Sequence, residues 1–337
     1  MTMPDTHAPV LVTGGTGFVG SHLVELLLKG GYPVTCLVRH PRRLRWLAGL
    51  PVRIVQGDCT DARSLDSAVQ EAAIVIHAAG VTKAIRIRDY YEVNQQGTKN
   101  LLEACARSGK NLRRLVLVSS LAAAGPAKGL SGVTAGDDPR PLTDYGRSKL
   151  FAEQEALRYR DRFPVVILRP SAVYGPRDTD VFEIFRWAAR GFLPKIGREE
   201  SWVSWCYVAD LAEVLVRAAE RPVASGSIYH VAGDRPYSQA EFRDLLARSG
   251  TVKTRTITVP SSLAYLMACF TELAGRISSR PTILNRQKVR EATQRYWTCD
   301  LAALQKDFGP FLPVPLEQGL SMTWSWYRAQ GWLSQDG

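Results

Sequence analysis

The chain has 337 residues, of which 45% are apolar and 22% are charged, as is typical of globular proteins. This composition excludes a disordered, collagen-like or coiled-coil chain, and the length allows one large α/β domain with a smaller lobe. The net charge of +11 comes from dispersed Lys and Arg residues, so we expect an anionic small-molecule cofactor or substrate rather than a nucleic acid.

Several features bear on the compartment. The first ten residues contain an acidic residue and no Lys or Arg, which does not fit a secretory signal and favours the cytoplasm. The most apolar long segment, 256–271, is too short and too polar to cross a membrane. Isolated cysteines predict free thiols, and the five histidines show no paired-ligand spacing, so we expect no metal site.

Short apolar runs alternate with helical patterns along the first half of the chain. Runs with the character of strands lie at 10–13, 34–38, 52–55, 74–77, 115–119 and 165–168. Helical spacing is found at 21–29, 97–108, 149–161, 210–220 and 239–249. Strands that alternate with helices predict right-handed βαβ units, and therefore a doubly wound parallel sheet with helices on both faces.

The first predicted strand ends in a glycine-rich turn, Thr13-Gly14-Gly15-Thr16-Gly17-Phe18-Val19-Gly20. Between a strand and a helix, glycines spaced three apart let backbone amides and a helix N-terminus approach a pyrophosphate. The turn therefore predicts a Rossmann-type dinucleotide site. Its expected contacts are Gly14, Thr16, Gly17, Phe18, Val19 and Gly20.

After about residue 175 the alternation ends and aromatic residues become frequent. We expect residues 8–175 to form the dinucleotide-binding domain, with 205–235 returning to it. Residues 176–204 and 236–337 are expected to form a smaller mixed substrate-binding lobe.

The end of the second predicted strand bears on the choice of dinucleotide. It reads Val38-Arg39-His40-Pro41-Arg42-Arg43, without the acidic residue that binds the ribose hydroxyls in NAD-selective sites. The Arg39 guanidinium suits a 2′-phosphate, so NADP is favoured and NAD stays possible; a solvated basic loop is the alternative. Asp58, after the third strand, could accept a hydrogen bond from adenine or cap the next helix.

Tyr145 and Lys149 are four residues apart, which places a phenol and an ammonium on one helix face. A lysine cation stabilises the phenolate and lowers the tyrosine pKa from ~10, which suits acid/base exchange between an alcohol and a carbonyl. Ser120 follows the fifth strand, at the sheet edge where ligands bind, and could orient the substrate oxygen. Ser119 is its competitor for that role.

These motifs, in this order, resemble the extended short-chain dehydrogenase/reductase superfamily of epimerase/dehydratase-like enzymes. The resemblance rests on TGGTGFVGSHL (13–23), HAAG (77–80), VNQQGTKNLL (93–102), LVSS (117–120), YGRSK (145–149) and LRPSAVYGP (168–176). It implies that Tyr145 is the acid/base, that Lys149 assists it and holds the nicotinamide ribose, and that Ser120 binds the substrate oxygen. It also implies a supporting role for Asn94 and cofactor contacts at Ala78, Ala79, Lys149, Pro170, Ser171 and Val173.

Segment 201–210 bears on the branch of the superfamily. It lacks the arginine that sugar-nucleotide enzymes usually carry there, although Arg198 lies just upstream. Its aromatic content is more similar to the dihydroflavonol-reductase and 3β-hydroxysteroid-dehydrogenase branch, which implies a mostly apolar substrate. The expected pocket residues are Tyr174, Phe185, Trp202 and Trp205, with core packing as the alternative for some of the aromatics.

Segment 263–273 is apolar on nearly every side. It could cover the substrate pocket, which we expect first, pack against a second subunit, or make peripheral contact with a membrane beside Arg276, Arg280 and Arg286. The resemblance also implies a homodimer.

These observations predict an NADP-dependent oxidoreductase that interconverts a secondary alcohol and a ketone by hydride transfer. The first alternative is a nucleotide-sugar epimerase or dehydratase with tightly bound NAD. The second is a non-catalytic nicotinamide sensor or scaffold.

Overall fold

The computed structural model describes residues 7–278 and 285–334. Its strands are β1 (Val10–Thr13), β2 (Val34–Val38), β3 (Arg53–Gln56), β4 (Ile74–His77), β5 (Arg114–Val118), β6 (Val165–Pro170), β7 (Ala172–Tyr174), β8 (Phe192–Ile196), β9 (Trp202–Tyr207), β10 (Ser227–Val231), β11 (Pro236–Ser238), β12 (Arg255–Val259) and β13 (Tyr296–Trp297).

Its α-helices are α1 (Phe18–Lys29), α2 (Asp66–Val69), α3 (Ile87–Tyr90), α4 (Gly97–Ser108), α5 (Leu121–Ala124), α6 (Asp144–Leu157), α7 (Phe182–Ala189), α8 (Val208–Glu220), α9 (Gln239–Gly250), α10 (Ser261–Ser278), α11 (Arg286–Ala292), α12 (Ala302–Phe308) and α13 (Leu316–Ala329). Two short 3-10 helices, Arg45–Leu47 and Ala62–Ser64, and a π-helix, Tyr91–Gln96, complete the helical elements of the described ranges.

A seven-stranded sheet in the order β10-β6-β5-β4-β1-β2-β3 forms the centre of the fold. Every neighbouring pair in it is parallel, which confirms the predicted doubly wound sheet. The strand order reverses between β1 and β4, so a crevice opens at the carboxyl ends of these strands, where ligands bind in such sheets. The boundaries of the two predicted lobes stay a prediction.

Alternation along the strands divides the core between the two sheet faces. Val10 and Val12 of β1 pack on one face with residues of α1 and α8. Leu11 packs on the other face with residues of α2, α4 and α6. Both faces are therefore covered by helices, as the near-continuous apolar strands require.

The second half of the chain adds the smaller mixed lobe. Strand β9 pairs antiparallel with β11 and parallel with β13 and β7, while β8 and β12 form a separate parallel pair. Helix α9 begins with the predicted capping box, in which Ser238 and Glu241 each bond to the other's backbone amide.

Helix α10 differs from the expectation that segment 263–273 covers the substrate pocket. Its larger apolar side chains Leu263, Leu266, Met267 and Phe270 face solvent. Arg280 and the side chain of Arg276 lie outside the described residues. Among the helices that the structure describes, none is long and apolar enough to cross a membrane.

A buried ion pair joins α6 to β6. Arg169 donates two hydrogen bonds to Glu153, at 2.9 and 2.7 Å, and the two side chains are only 2% and 1% exposed. Ser119 also donates a hydrogen bond to Glu153. The remaining Nη1 of Arg169 has no partner within the described residues, so the guanidinium depends on Glu153 for its charge balance.

Replacing Glu153 by Gln should therefore destabilise the fold by about 3–5 kcal/mol, because it leaves a buried cation uncompensated. Urea unfolding followed by circular dichroism measures this change. The double variant Glu153→Leu/Arg169→Met should lose less, since no unpaired charge remains. Glu103→Gln on the exposed side of α4 is the matched control, and an equal loss in both Gln variants would contradict the buried-charge interpretation.

Candidate active site

The glycine turn brings three backbone segments into contact. Gly14 has a φ of +76°, and a Cβ on it would lie 2.6 Å from the amide nitrogen of Ala79. A Cβ on Gly20 would overlap the carbonyl oxygen of Gly14. The amide of Ala78 in turn donates to the carbonyl of Thr13 at 3.2 Å. Side chains are thus excluded where the end of β1, the start of α1 and the end of β4 meet.

The same turn leaves the N-terminus of α1 without a competing anion. Within the described chain, no side chain caps this helix at Gly17, and its first turn carries no acidic residue. Its amides and the positive end of its dipole are therefore available to a phosphate. The structure places Thr16, Phe18 and Val19 in this turn, so the cradle fits the pyrophosphate of a dinucleotide.

Arg39 lies at the end of β2, with a side chain 62% exposed and its Nη1 4.0 Å from Asp58 Oδ2. It lines a cavity of about 570 Å³ together with His40, Pro41, Arg42, Arg43 and Gln56. Asp58 Oδ1 accepts from the amide and the hydroxyl of Thr60, both at 2.9 Å. The helix-capping alternative for Asp58 is wrong, because Asp61 caps the 3-10 helix that follows.

Ser120, Tyr145 and Lys149 come together at the carboxyl end of β5. The Ser120 hydroxyl accepts from the amide of Ala122 at 3.1 Å and lies close enough to the Tyr145 phenol to act on its pKa. The buried Lys149 ammonium donates to the carbonyl of Val118 at 2.6 Å. Because the hydroxyl of Ser119 is taken by Glu153, the geometry favours Ser120 for the cleft.

Both residues of the Tyr-Lys pair lie inside α6, which begins earlier than the sequence predicts. Thr143 caps the helix by accepting from the amide of Gly146 at 3.1 Å. The cap fixes the first turn, so Tyr145 projects from a regular helix one turn before Lys149.

The expected effect of Lys149 on Tyr145 is wrong for this structure. Burial raises the pKa of Tyr145, while the hydrogen bond from Ser120 and the charge of Lys288 act in the lowering direction. Burial also lowers the pKa of Lys149 to about 8, an effect that the Glu153 carboxylate opposes. Burial is thus the main cause of the raised Tyr145 pKa, and the Lys149 ammonium donates to the Val118 carbonyl.

Helix α11 supplies charged residues that sequence reasoning missed. Gln287 exchanges two hydrogen bonds with Asp144, at 2.6 and 2.9 Å, and the Thr143 hydroxyl donates to Glu291 at 3.1 Å. These contacts bring Lys288, which is paired with Glu291 at 3.0 Å, close enough to act on Tyr145. No spacing in the sequence links α11 to α6, so no sequence signal points to it.

A buried polar chain runs from the glycine turn to α6. His77 is hydrogen-bonded to the hydroxyls of Thr13 and Thr98, at 2.6 and 2.9 Å. Thr98 donates to the carbonyl of Asn94, whose amide donates to Ser148 at 2.9 Å. Burial, aided by the charge of Lys149, lowers the pKa of His77 to about 3, so the imidazole is neutral. The supporting role expected for Asn94 agrees with this position in the π-helix.

The segment after β6 forms another wall of the crevice. Pro170 ends β6, and the amide of Ser171 donates to the carbonyl of Val231 at 2.9 Å. The buried hydroxyl of Ser171 has no partner among the residues that the structure describes. An unpaired hydroxyl beside the half-buried Val173 suits a polar group of a bound ligand.

Two of the four expected pocket residues belong to the core. Tyr174 and Phe185 are almost completely buried, and Phe185 packs edge-on against Trp324 and Tyr327. The structure therefore corrects their assignment to a substrate surface. Their aromatic character comes from core packing, the alternative that the sequence left open.

The other two expected pocket residues are only partly buried. Trp202 is half-exposed at the start of β9, and Trp205 stacks on Phe242 with ring centroids 4.2 Å apart. Trp205 and Phe242 line a cavity of about 220 Å³ with Ile184, Trp187, Leu193, Pro194, Val203, Tyr237, Ser238, Gln239 and Arg243.

The burial of Lys149 predicts that its effect on stability depends on pH. Because folding lowers its pKa from 10.5 to about 8, its charge costs stability below about pH 8, and this cost disappears as the pH rises toward 10.5. The stability advantage of Lys149→Met over wild type should therefore shrink by about 3 kcal/mol between pH 7.5 and 10.5. Urea unfolding across this range measures it. Lys99→Met on α4 controls for the loss of a lysine, and an advantage that stays constant with pH would contradict the prediction.

Comparison with known proteins identifies the family of the chain. The model of the NAD dependent epimerase/dehydratase family matches residues 10–232. A ceramide reductase from Caulobacter vibrioides is 31% identical over 98% of both chains. A 3 beta-hydroxysteroid dehydrogenase/Delta 5-->4-isomerase from Mycobacterium tuberculosis is 32% identical over 69% of this chain and 67% of its own.

A solved structure is similar over nearly the whole chain. MoeE5 in complex with UDP-glucuronic acid and NAD has a TM-score of 0.76 and 25% identity, over 96% of this chain and 99% of that chain. With the parallel sheet, the glycine cradle and the ordered motifs, these matches show that the chain belongs to the NAD dependent epimerase/dehydratase family, within the extended short-chain dehydrogenase/reductase superfamily.

Proposed function

We propose that this protein interconverts a secondary alcohol and a ketone on a lipid-like substrate, with NADP(H) as the hydride carrier. The observation that carries the proposal is the meeting of Ser120, Tyr145 and Lys149 at the carboxyl end of β5, beside the glycine cradle. When bound, the nicotinamide ring supplies or accepts the hydride.

The proton chemistry belongs to Tyr145. Its raised pKa keeps the phenol protonated at neutral pH, so it can donate to a substrate oxygen as a ketone is reduced. Ser120 donates a second hydrogen bond to the same oxygen and orients it. The Ser120 hydroxyl and the charge of Lys288 act to lower the Tyr145 pKa and so favour the phenolate left behind, while Lys149 would hold the nicotinamide ribose. In the oxidative direction Tyr145 must first lose its proton to solvent, and the phenolate then accepts the proton of the alcohol as the hydride leaves.

Two observations support a lipid-like substrate. The cavity beside Trp205 is lined mainly by apolar and aromatic side chains, as expected for an apolar ligand. Trp205 of β9 pairs with Ala172 of β7, and the next residue of β7 is Val173. The cavity therefore lies one strand away from an expected nicotinamide contact. The names of two relatives, a ceramide reductase and a 3 beta-hydroxysteroid dehydrogenase, agree with a large apolar substrate.

The likeness to MoeE5 favours a second candidate, a nucleotide-sugar epimerase or dehydratase with tightly bound NAD. The two candidates differ in the fate of the cofactor. Incubation with NADPH and panels of lipid ketones, steroid ketones and UDP-sugars, followed at the nicotinamide absorbance band, separates them. We expect net NADPH consumption with a lipid or steroid ketone. Conversion of a UDP-sugar without net cofactor change would support the second candidate instead.

Tyr145→Phe should lower kcat/KM by at least about 100-fold, because it removes the transferable proton. NADPH binding, measured by fluorescence titration, should change less than about threefold, since the cradle is built from other residues. Tyr91→Phe is the matched control: this phenol donates to Asp144 on the same helix, outside the proposed proton path. Full activity in Tyr145→Phe would remove the proton-transfer assignment.

Arg39 is proposed to bind the 2′-phosphate, because it lines a cavity with two further arginines. The wild type should prefer NADPH over NADH by at least about tenfold in kcat/KM, and Arg39→Asp should remove or reverse the preference. Arg63→Asp, exposed outside this cavity, is the control. A wild type that prefers NADH would contradict the proposal.

The homodimer and the cytoplasmic location stay predictions from the sequence.

A further inference from the structure

Helix α10 is attached to the lobe by its small residues. Ala264 and Ala268 are buried and pack with Val289 of α11, Ile196 of β8 and Val259 of β12. Small side chains let the helix lie close to this surface. The large side chains of α10 consequently lie on the opposite face of the helix.

The opposite face of α10 is apolar and open to solvent. Leu263, Leu266, Met267 and Phe270 follow the i, i+3, i+4, i+7 spacing of one helix face, and they are 48%, 53%, 47% and 66% exposed. Ile257 on β12 is also 51% exposed. Contiguous exposed apolar residues of this kind mark a surface that binds a partner or a membrane.

The charge around α10 is strongly positive. Residues 251–292 contain seven Lys and Arg residues against two acidic ones, which supplies five of the chain's net +11 charges. The basic residues are thus less evenly dispersed than the whole chain suggests. Residues 251–271 carry no acidic residue at all, and Lys253 and Arg255, just before the helix, are exposed.

We propose that α10 binds the surface of an anionic lipid bilayer, lying in the plane of the membrane. The Leu263, Leu266, Met267 and Phe270 side chains enter the boundary between headgroups and acyl chains. The exposed side chains of Lys253 and Arg255 contact lipid phosphates. The 18-residue helix is about 27 Å long, and none of the described helices can span a bilayer, so surface binding is the geometry that fits.

Electrostatics decide between a membrane and a second copy of this chain. A two-fold contact through α10 would bring two segments of net charge +5 together, which repel each other. An anionic bilayer presents the complementary charge. The inference does not rest on the proposed activity, because lipid binding is measured without turnover.

Co-sedimentation of the full chain with vesicles of phosphatidylcholine, with and without 30 mol% (roughly one third) phosphatidylglycerol, tests the proposal. We expect binding that requires the anionic lipid and weakens at high salt. Leu266→Gln/Phe270→Gln should lower the partition coefficient at least about tenfold. Lys253→Gln/Arg255→Gln should lower it severalfold at low salt.

Leu312→Gln is the matched control, because Leu312 is 93% exposed but lies outside α10. It should bind vesicles as the wild type does, and circular dichroism verifies the fold of each variant. Wild type that stays in the supernatant with both vesicles would overturn the proposal. Unchanged vesicle binding by Leu266→Gln/Phe270→Gln would also overturn it. So would light scattering that shows a dimeric wild type and a monomeric Leu266→Gln/Phe270→Gln variant, because the apolar face would then be a subunit contact.

Discussion

The site depends on how positive charge is buried beneath the carboxyl end of β5. Lys149 and Arg169 are both buried, and Glu153 lies between them in α6, one turn after Lys149. Arg169 takes both carboxylate oxygens of Glu153, whereas Lys149 donates to the carbonyl of Val118. These three groups therefore hold two cations and one anion in a region of low dielectric, which favours an anionic oxygen placed above them.

Burial sets the ionisation state of the neighbouring groups as well. Together with the charge of Lys149, it lowers the pKa of His77 to about 3, so the neutral imidazole acts as a fixed hydrogen-bonding link between Thr13 and Thr98. Burial likewise raises the pKa of Tyr145, and the Ser120 hydroxyl and the charge of Lys288 act against it. The proposed proton donor is therefore a neutral phenol with positive charge nearby, which is the arrangement that favours negative charge as it develops in a transition state.

The sequence was sufficient for the parts of the fold that depend on local patterns. The six predicted strands are present because short apolar runs bounded by turns leave few alternatives, and the glycine spacing identified the cradle. The start of α6 was missed because the cap comes from Thr143, a single hydroxyl outside the helical pattern. Tyr174 and Phe185 were misassigned because an aromatic in a core and one in a pocket have the same sequence signature.

Contacts between the two halves of the chain could not be predicted in the same way. The pairing of Gln287 with Asp144, and the approach of Lys288 to Tyr145, depend on how α11 folds back over α6. The helix and strand propensities of local sequence do not specify such long-range packing. The same applies to Lys149, whose hydrogen bond to the carbonyl of Val118 joins α6 to the end of β5, 31 residues earlier in the chain.

The glycine turn and the cavity of the mixed lobe are built on different principles. At the turn, Gly14 and Gly20 bring backbone against backbone, so a side chain there would collide with the neighbouring chain. In the cavity proposed for the substrate, side chains such as Trp205 and Phe242 form the walls instead. Under the proposed function, a substitution in the mixed lobe would alter which ketone is accepted, whereas the proton chemistry would stay with Tyr145 of α6.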